Sequence, residues 1–234
     1  MLITYAMVIA VFIIVEIMIS TGMMSSLMQG LLVPLCIYSI VAIGLNLCVG
    51  YLGELSLGHA GFMCVGAFSS AVFSKCMMTS GMNETLRFIL ALLIGTVVAA
   101  VFGWLIGIPV LRLRGDYLAI VTLAFGEIIK NVLTNLNIKG TPLQGALGID
   151  TSSIRRNSKD LLPYAILLVL LTMLVIMNFK RSKHGRAIMA IRDNHIAAQA
   201  IGLNLTKYKL MAFVTSAALA GAAGALYGLN FSNL

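Results

Sequence analysis

The sequence FILALLIGTVVAAVFGWLIGIPVL, residues 88–111, contains no charged side chain. A bilayer core about 30 Å thick is crossed by roughly twenty apolar residues of α-helix, so this stretch is long enough to span a membrane. The rest of the chain has the same character, because 60% of its 234 residues are hydrophobic and only 10% are charged. Soluble domains carry about 25% charged residues. The sequence therefore excludes an ordinary soluble domain and predicts an all-α polytopic membrane protein.

Six further stretches are apolar enough to be candidate spans. Together with residues 88–111 they predict a single transmembrane domain over residues 1–234, a helical bundle of about seven segments. These six stretches are residues 2–19, 27–49, 55–73, 116–136, 161–179 and 210–231.

The basic residues are concentrated in one loop. Seven of the sixteen Lys and Arg residues lie in residues 180–209, between two apolar stretches. Lys and Arg beside spans are typical of cytoplasmic loops and of contact with anionic lipid, so the net charge of +8 does not indicate a nucleic-acid partner. We expect residues 180–209 to be cytoplasmic and residues 137–160 to lie outside.

This basic loop contains a short helix-like segment. Asp193 is a candidate N-cap, and Gly202 stands where a left-handed C-terminal glycine belongs. A helix of about eight residues is marginal in water, so it has to pack against something. Its own protein, a partner's groove and the membrane surface all stay open as that support. The residues predicted to contact a partner are Asp193, Ile196, Ala197, Ala198, Ala200, Ile201 and Gly202.

A second unusual stretch, GYLGELSLGHAG, occupies residues 50–61 and contains four glycines, an acid and a histidine. Glycine destabilises a helix interior by about 1 kcal/mol relative to alanine, so a regular helix is not expected here. Irregular backbone at membrane depth occurs where it is buried in protein or lines a watery cavity. The alternative is a tight turn with Glu54 at the cytoplasmic surface. The predicted translocation-path residues are Glu54, Ser56, Gly58, His59 and Gly61.

The last span carries small residues at every fourth position on two adjacent rows. Such rows let transmembrane helices approach closely, which predicts a tightly packed bundle. The rows are Ala217, Gly221 and Ala225, and Ala220, Gly224 and Gly228.

Other polar residues point to no catalysis. Glu127 and Lys130 stand one helical turn apart and are predicted to form a structural ion pair near the outer interface, with a proton relay as the alternative. The three histidines and four cysteines have no metal-ligand spacing, and no serine or cysteine has a sequence-visible base. We predict no catalytic residue, metal site or cofactor.

Three motifs, in this order, resemble signature stretches of the branched-chain amino acid permeases of ATP-binding-cassette (ABC) importers. They are GYLGELSLGHA at residues 50–60, LRLRGDYLAIVTLAF at residues 111–125, and a discontinuous third from HGRA at residues 184–187 to AGAAGALY at residues 220–227. The second permease subunit of leucine, isoleucine and valine uptake systems is the most similar type.

The resemblance implies a non-catalytic permease subunit in the bacterial cytoplasmic membrane. Its implied partners are a second permease subunit, two cytoplasmic ATP-binding subunits and an extracytoplasmic substrate-binding protein. Residues 180–209 would be the coupling loop, with Ala197, Ala198 and Gly202 matching the family core and Ile196 replacing its glutamate. Family members continue for several spans after this loop, so we expect this sequence to be C-terminally truncated.

Two other functions stay open. A permease for urea or short-chain amides would share the same architecture. An ion-driven secondary transporter would use Glu54, His59 or Glu127 as a relay and would need no coupling loop.

Overall fold

A computed structural model describes residues 2–80, 83–113, 115–136 and 158–230. Across these ranges the regular structure is entirely helical, as the composition predicts. The α-helices are α1 (Leu2–Ser20), α2 (Ser26–Asn46), α3 (His59–Cys76), α4 (Glu84–Val110), α5 (Asp116–Asn135), α6 (Ser158–Arg181), α7 (Lys183–Asp193), α8 (His195–Ala200) and α9 (Leu205–Asn230). A π-helical turn, Leu47–Leu52, continues α2, and a short 3₁₀ turn, Met77–Ser80, follows α3.

Five of these segments are long and apolar enough to cross a membrane. They are Leu27–Leu52, Glu84–Val110, Asp116–Asn135, Leu161–Arg181 and Leu205–Asn230. Large apolar side chains such as Leu93, Val97 and Trp104 on α4 are exposed on the outside of the bundle, as expected for a surface that contacts lipid. Tyr5–Ser20 is a shorter apolar helix, and α3, which is not among the five, has ten of its eighteen residues buried.

Helix α9 lies at the centre of the bundle and packs against α2, α3 and α4. The two small-residue rows of the sequence are buried here. Gly224 faces the carbonyl oxygen of Met63, and Gly221 lies against Gly66 and Gly95. Glycine is needed at these crossings because the backbones of α3, α4 and α9 approach too closely for a side chain.

The third span was predicted to begin at residue 55, which is earlier than the helix begins in the structure. Residues 55–57 have no regular secondary structure, and the helix starts only at His59. Gly53 adopts a left-handed conformation with φ +75° and ends the π-helical turn. The N–H of Leu57 then donates to Thr122 Oγ1 at 3.0 Å, so a side chain of α5 satisfies this backbone group instead of a helical carbonyl. The irregular backbone predicted for this stretch is present up to Gly58, whereas Gly61 belongs to the first turn of α3.

Only residues 158–160 of the predicted external loop at 137–160 lie within the described ranges, as the start of α6. The predicted position of that loop stays a prediction.

Candidate coupling and translocation site

The basic loop folds into two short helices, α7 and α8. The Ser182 hydroxyl caps α7 by accepting from the N–H of Gly185 at 3.2 Å. Ile188 on α7 is buried in a cluster that includes Leu47 and Leu52 of the π-helical turn, and Ile191 on the same helix is buried as well. The loop is therefore packed by its apolar face onto the end of the bundle that the π-helical turn forms.

Helix α8 has defined caps at both ends. Asn194 Oδ1 accepts from the N–H groups of Ile196 and Ala197, both at 3.1 Å. The prediction that Asp193 is this cap is therefore wrong, because Asp193 ends α7 and pairs with Arg192 at 3.1 Å. At the other end Gly202 has φ +87°, as predicted for a C-terminal glycine.

The C-terminal cap of α8 is a Schellman motif. The N–H of Gly202 donates to Gln199 O at 3.0 Å, and the N–H of Leu203 donates to Ala198 O at 3.1 Å. These caps stabilise a six-residue helix that would not persist alone.

The surface of α8 is apolar and open. Ile196 and Ile201 have 70% and 75% of their surface exposed, and Ala197 and Ala200 are exposed as well. Ala198 is 3% exposed and faces its own protein. Of the alanines predicted to meet a partner, only Ala197 and Ala200 are accessible. A water-exposed isoleucine pair on a well-ordered helix is typical of a docking surface.

Two long-range contacts join this loop to the irregular segment at residues 47–58. Arg192 Nη1–H donates to the carbonyl of Gly50 at 2.7 Å. The aliphatic part of Arg192 lies against Gly53, where an added Cβ would stand 2.6 Å from Arg192 Cγ. A displacement of α7 and α8 would therefore pull directly on the π-helical turn.

Glu54 forms the second contact, an ion pair with Lys209 at the start of α9. The two side chains are only 14% and 13% exposed, and Glu54 Oε2 has no hydrogen-bond partner among the described residues. The pair lies beside a polar cavity of about 250 Å³ that Arg192 and His195 also line. Glu54 thus lies at the end of the bundle against which the basic loop packs, and that loop encloses it.

His59 and Ser56 are buried deeper. His59 Nε2 lies 2.5 Å from Ser216 Oγ, and that hydroxyl donates to Gly44 O at 2.5 Å. Because the serine has one proton and the carbonyl can only accept, Nε2 must be the protonated nitrogen of His59. The resulting chain of hydrogen bonds joins α2, α3 and α9. The hydroxyl of Ser56 has no partner in the described part of the chain.

The glycines at the start of α3 allow close approach to α5. A Cβ at Gly58 would lie 2.5 Å from Thr122 O, and a Cβ at Gly61 would lie 2.8 Å from Gly126 Cα. Contacts this short have no room for a side chain, so the two backbones meet directly here.

We expect Gly61→Leu to abolish transport while leaving insertion into the membrane nearly unchanged, because the bulk separates α3 from α5 locally. The measurement is substrate uptake together with the amount of protein in the membrane fraction. Gly30→Leu is the control, since nothing lies within 4 Å of a Cβ there. Normal uptake by Gly61→Leu would show that this crossing tolerates displacement.

Sequence reasoning missed Arg192, Asn194, Lys209 and Ser216. Asn194 had a local signal, because Asn caps helices as well as Asp does. The other three act through partners more than 140 residues away, and no local pattern reveals such pairs.

Comparison with known proteins adds the family. The family described as the permease component of branched-chain amino acid transport systems matches residues 27–233. The high-affinity branched-chain amino acid transport system permease protein LivM of Salmonella typhimurium is 38% identical, over 82% of this chain and 50% of its own length.

Two other relatives are more distant. LivH, a permease protein of the high-affinity branched-chain amino acid transport system in Salmonella typhimurium, is 24% identical over 82% of this chain and 66% of its own length. The nucleoside ABC transporter permease protein NupC of Lactococcus lactis is 26% identical over 75% of this chain and 58% of its own length. No solved structure is significantly similar to this chain.

This chain spans about half the length of the LivM proteins that it matches at 38% identity. The resemblance inferred from the three sequence motifs is confirmed, since the match covers all of them. With residues 27–233 matched, the chain belongs to the branched-chain amino acid transport permease family.

Proposed function

We propose that this chain is a transmembrane permease subunit of an ABC importer for branched-chain or similar amino acids in the bacterial cytoplasmic membrane. It forms part of the translocation path and hydrolyses no ATP itself. The seven spans are α1 to α6 and α9, and α7 and α8 lie on the cytoplasmic side. Family membership and the five long apolar helices support this arrangement.

The exposed apolar surface of α8 is the observation that carries the proposal. Ile196 and Ile201 lie on a basic, cytoplasmic loop that is itself fastened to the irregular segment at residues 47–58. An ATP-binding subunit docked on α8 would therefore transmit its movement to that segment through Arg192 and Lys209.

The remaining partners follow from the family. A second permease subunit pairs with this one, since Salmonella typhimurium has both LivM and LivH permease proteins for branched-chain amino acid transport. Two ATP-binding subunits dock on the cytoplasmic side, and a substrate-binding protein delivers the amino acid from outside.

An ion-driven transporter is less well supported. Glu54 is paired with Lys209, His59 with Ser216, and Glu127 with Lys130. Each candidate relay group is therefore held by its own partner rather than in a connected chain.

We expect Ala197→Arg to release the ATP-binding subunits from the purified complex. A long charged side chain at this accessible position would be buried unpaired on docking, which costs several kcal/mol. The measurement is the ratio of ATP-binding subunit to permease after affinity purification through a tag on this chain.

Gln199→Arg is the matched control, since Gln199 is exposed on the same short helix but lies outside the apolar surface. It should retain the ATP-binding subunits. If Ala197→Arg retains them fully as well, α8 is not the docking site. Ala198→Arg is unsuitable for this test, because Ala198 is buried against its own protein.

A further inference from the structure

A second cavity, away from the basic loop, is lined by residues of α2, α3, α5 and α9. Its volume is about 590 Å³, within the range of small-molecule sites. Apolar side chains make up most of its wall, among them Met63, Ala67 and Leu133. Lys130 is the one charged residue among the described residues that line it, and Thr134 adds a hydroxyl.

Lys130 is paired with Glu127 at 3.7 Å between Nζ and Oε2. The two side chains are 63% and 62% exposed, so their own chain does not cover them. Glu127 lies eleven residues after Asp116, the first residue of α5, which is about 16 Å along the helix. In a helix that spans a bilayer core about 30 Å thick from its first residue, this distance corresponds to the middle of the core.

Charged side chains at this depth are unfavourable in contact with lipid and face water or protein instead. Helix α5 packs mainly against α3, so the rest of its surface is left open by the described part of this chain. Lys130 and Cys64 both line the cavity, and the contact between Lys130 Nζ and Glu127 Oε2 brings Glu127 to the same wall. The ion pair therefore borders the cavity.

We propose that this cavity binds a zwitterionic α-amino acid with an aliphatic side chain, an inference that rests on the proposed function. The substrate's carboxylate pairs with the Lys130 ammonium group, and its ammonium group pairs with the Glu127 carboxylate. The aliphatic side chain lies against Met63 and Leu133. An α-amino acid carries its ammonium and carboxylate groups on the same carbon atom, which suits two opposite charges one helical turn apart.

The ion pair between Lys130 and Glu127 can be replaced readily by ion pairs with the substrate. At 3.7 Å it is longer than a charge-assisted hydrogen bond of about 2.8 Å, and exposed pairs of this kind contribute little to stability. Separating the two side chains to admit a zwitterion therefore loses little, and both charges are paired again in the bound state.

Cys64 provides a direct test. In the assembled transporter, Cys36, Cys48 and Cys76 are replaced by Ala, and the labelling rate of Cys64 by a charged, water-soluble thiosulfonate is measured with and without leucine. We expect Cys64 to react, and leucine at about ten times its Kd to slow the reaction roughly tenfold. Leucinamide, which lacks the carboxylate, should protect far less.

Lys130→Met should remove the protection by leucine, measured as the ratio of Cys64 labelling rates with and without leucine in the same variant, whereas Lys130→Arg should keep most of the protection. Complex assembly is measured for both variants, so a loss of folding is recognised. Lack of reaction at Cys64 would show that the cavity faces lipid. Protection that persists in Lys130→Met, or that leucinamide gives equally, would also overturn the inference.

The proposed function is checked separately by ATP-dependent leucine uptake in the parental complex. Uptake without protection of Cys64 overturns this inference alone. Absence of uptake by the parental complex overturns the proposed substrate and this inference together.

Discussion

Gly224→Leu is expected to prevent the bundle from assembling. The α-carbon of Gly224 lies against the carbonyl oxygen of Met63, and an added Cβ would overlap that oxygen. Neither side can yield locally, because the obstacle is backbone of the buried helix α3. Overpacking of a core costs about 1–3 kcal/mol when side chains can move, and we expect a larger loss here.

The measurement is the yield of monodisperse protein after detergent extraction, together with its thermal unfolding midpoint. Gly30→Leu adds the same bulk to α2 at a position with nothing within 4 Å, and it should behave like the unchanged protein. A monodisperse Gly224→Leu protein of unchanged stability would contradict the close crossing of α3 and α9.

Lys209→Met is the second substitution with a large expected effect. It would leave Glu54 enclosed without its cation, and breaking a buried pair by removing one partner costs about 3–5 kcal/mol. We expect the unfolding midpoint to fall and ATP hydrolysis to become uncoupled from uptake, because Glu54 ties the irregular segment to α9.

A double variant distinguishes the contribution of the ion pair from the cost of leaving one charge without its partner. Lys209→Met with Glu54→Gln removes both charges and should recover much of the lost stability, which a double-mutant cycle measures as coupling energy. Lys207→Met is the control, since Lys207 is exposed two residues earlier on the same helix. Additive effects of the two single substitutions would show that the ion pair contributes nothing.

The spans could be predicted because the hydrophobicity of a continuous stretch of sequence determines whether it inserts into a membrane. A charge-free stretch such as residues 88–111 has few alternatives to a transmembrane helix, and the structure has α4 there. The small-residue rows of α9 were predictable for a similar reason, since close helix crossings require glycine and alanine at a four-residue spacing.

The start of α3 was harder to place. Hydropathy favoured a helix from residue 55, yet the N–H of Leu57 donates to Thr122 on α5. This partner is 65 residues away, so the local sequence does not contain the information that delays the helix to His59.

For α8, too, the local sequence predicted only part of the structure. Its existence and its terminal glycine followed from local capping rules. Which of two adjacent capping residues is used depends on Arg192, which pairs with Asp193, and on α7, which extends to Asp193. The alanine that is buried, Ala198, is determined by the part of the protein against which the helix packs.

The central claim is that this chain is a permease subunit that works by docking ATP-binding subunits. It is tested most directly by purifying the chain through an affinity tag from its native membrane and identifying bound proteins by mass spectrometry. The account predicts ATP-binding subunits and a second permease subunit in stoichiometric amounts. Recovery of the chain in a stable complex that contains no ATP-binding subunit would contradict it.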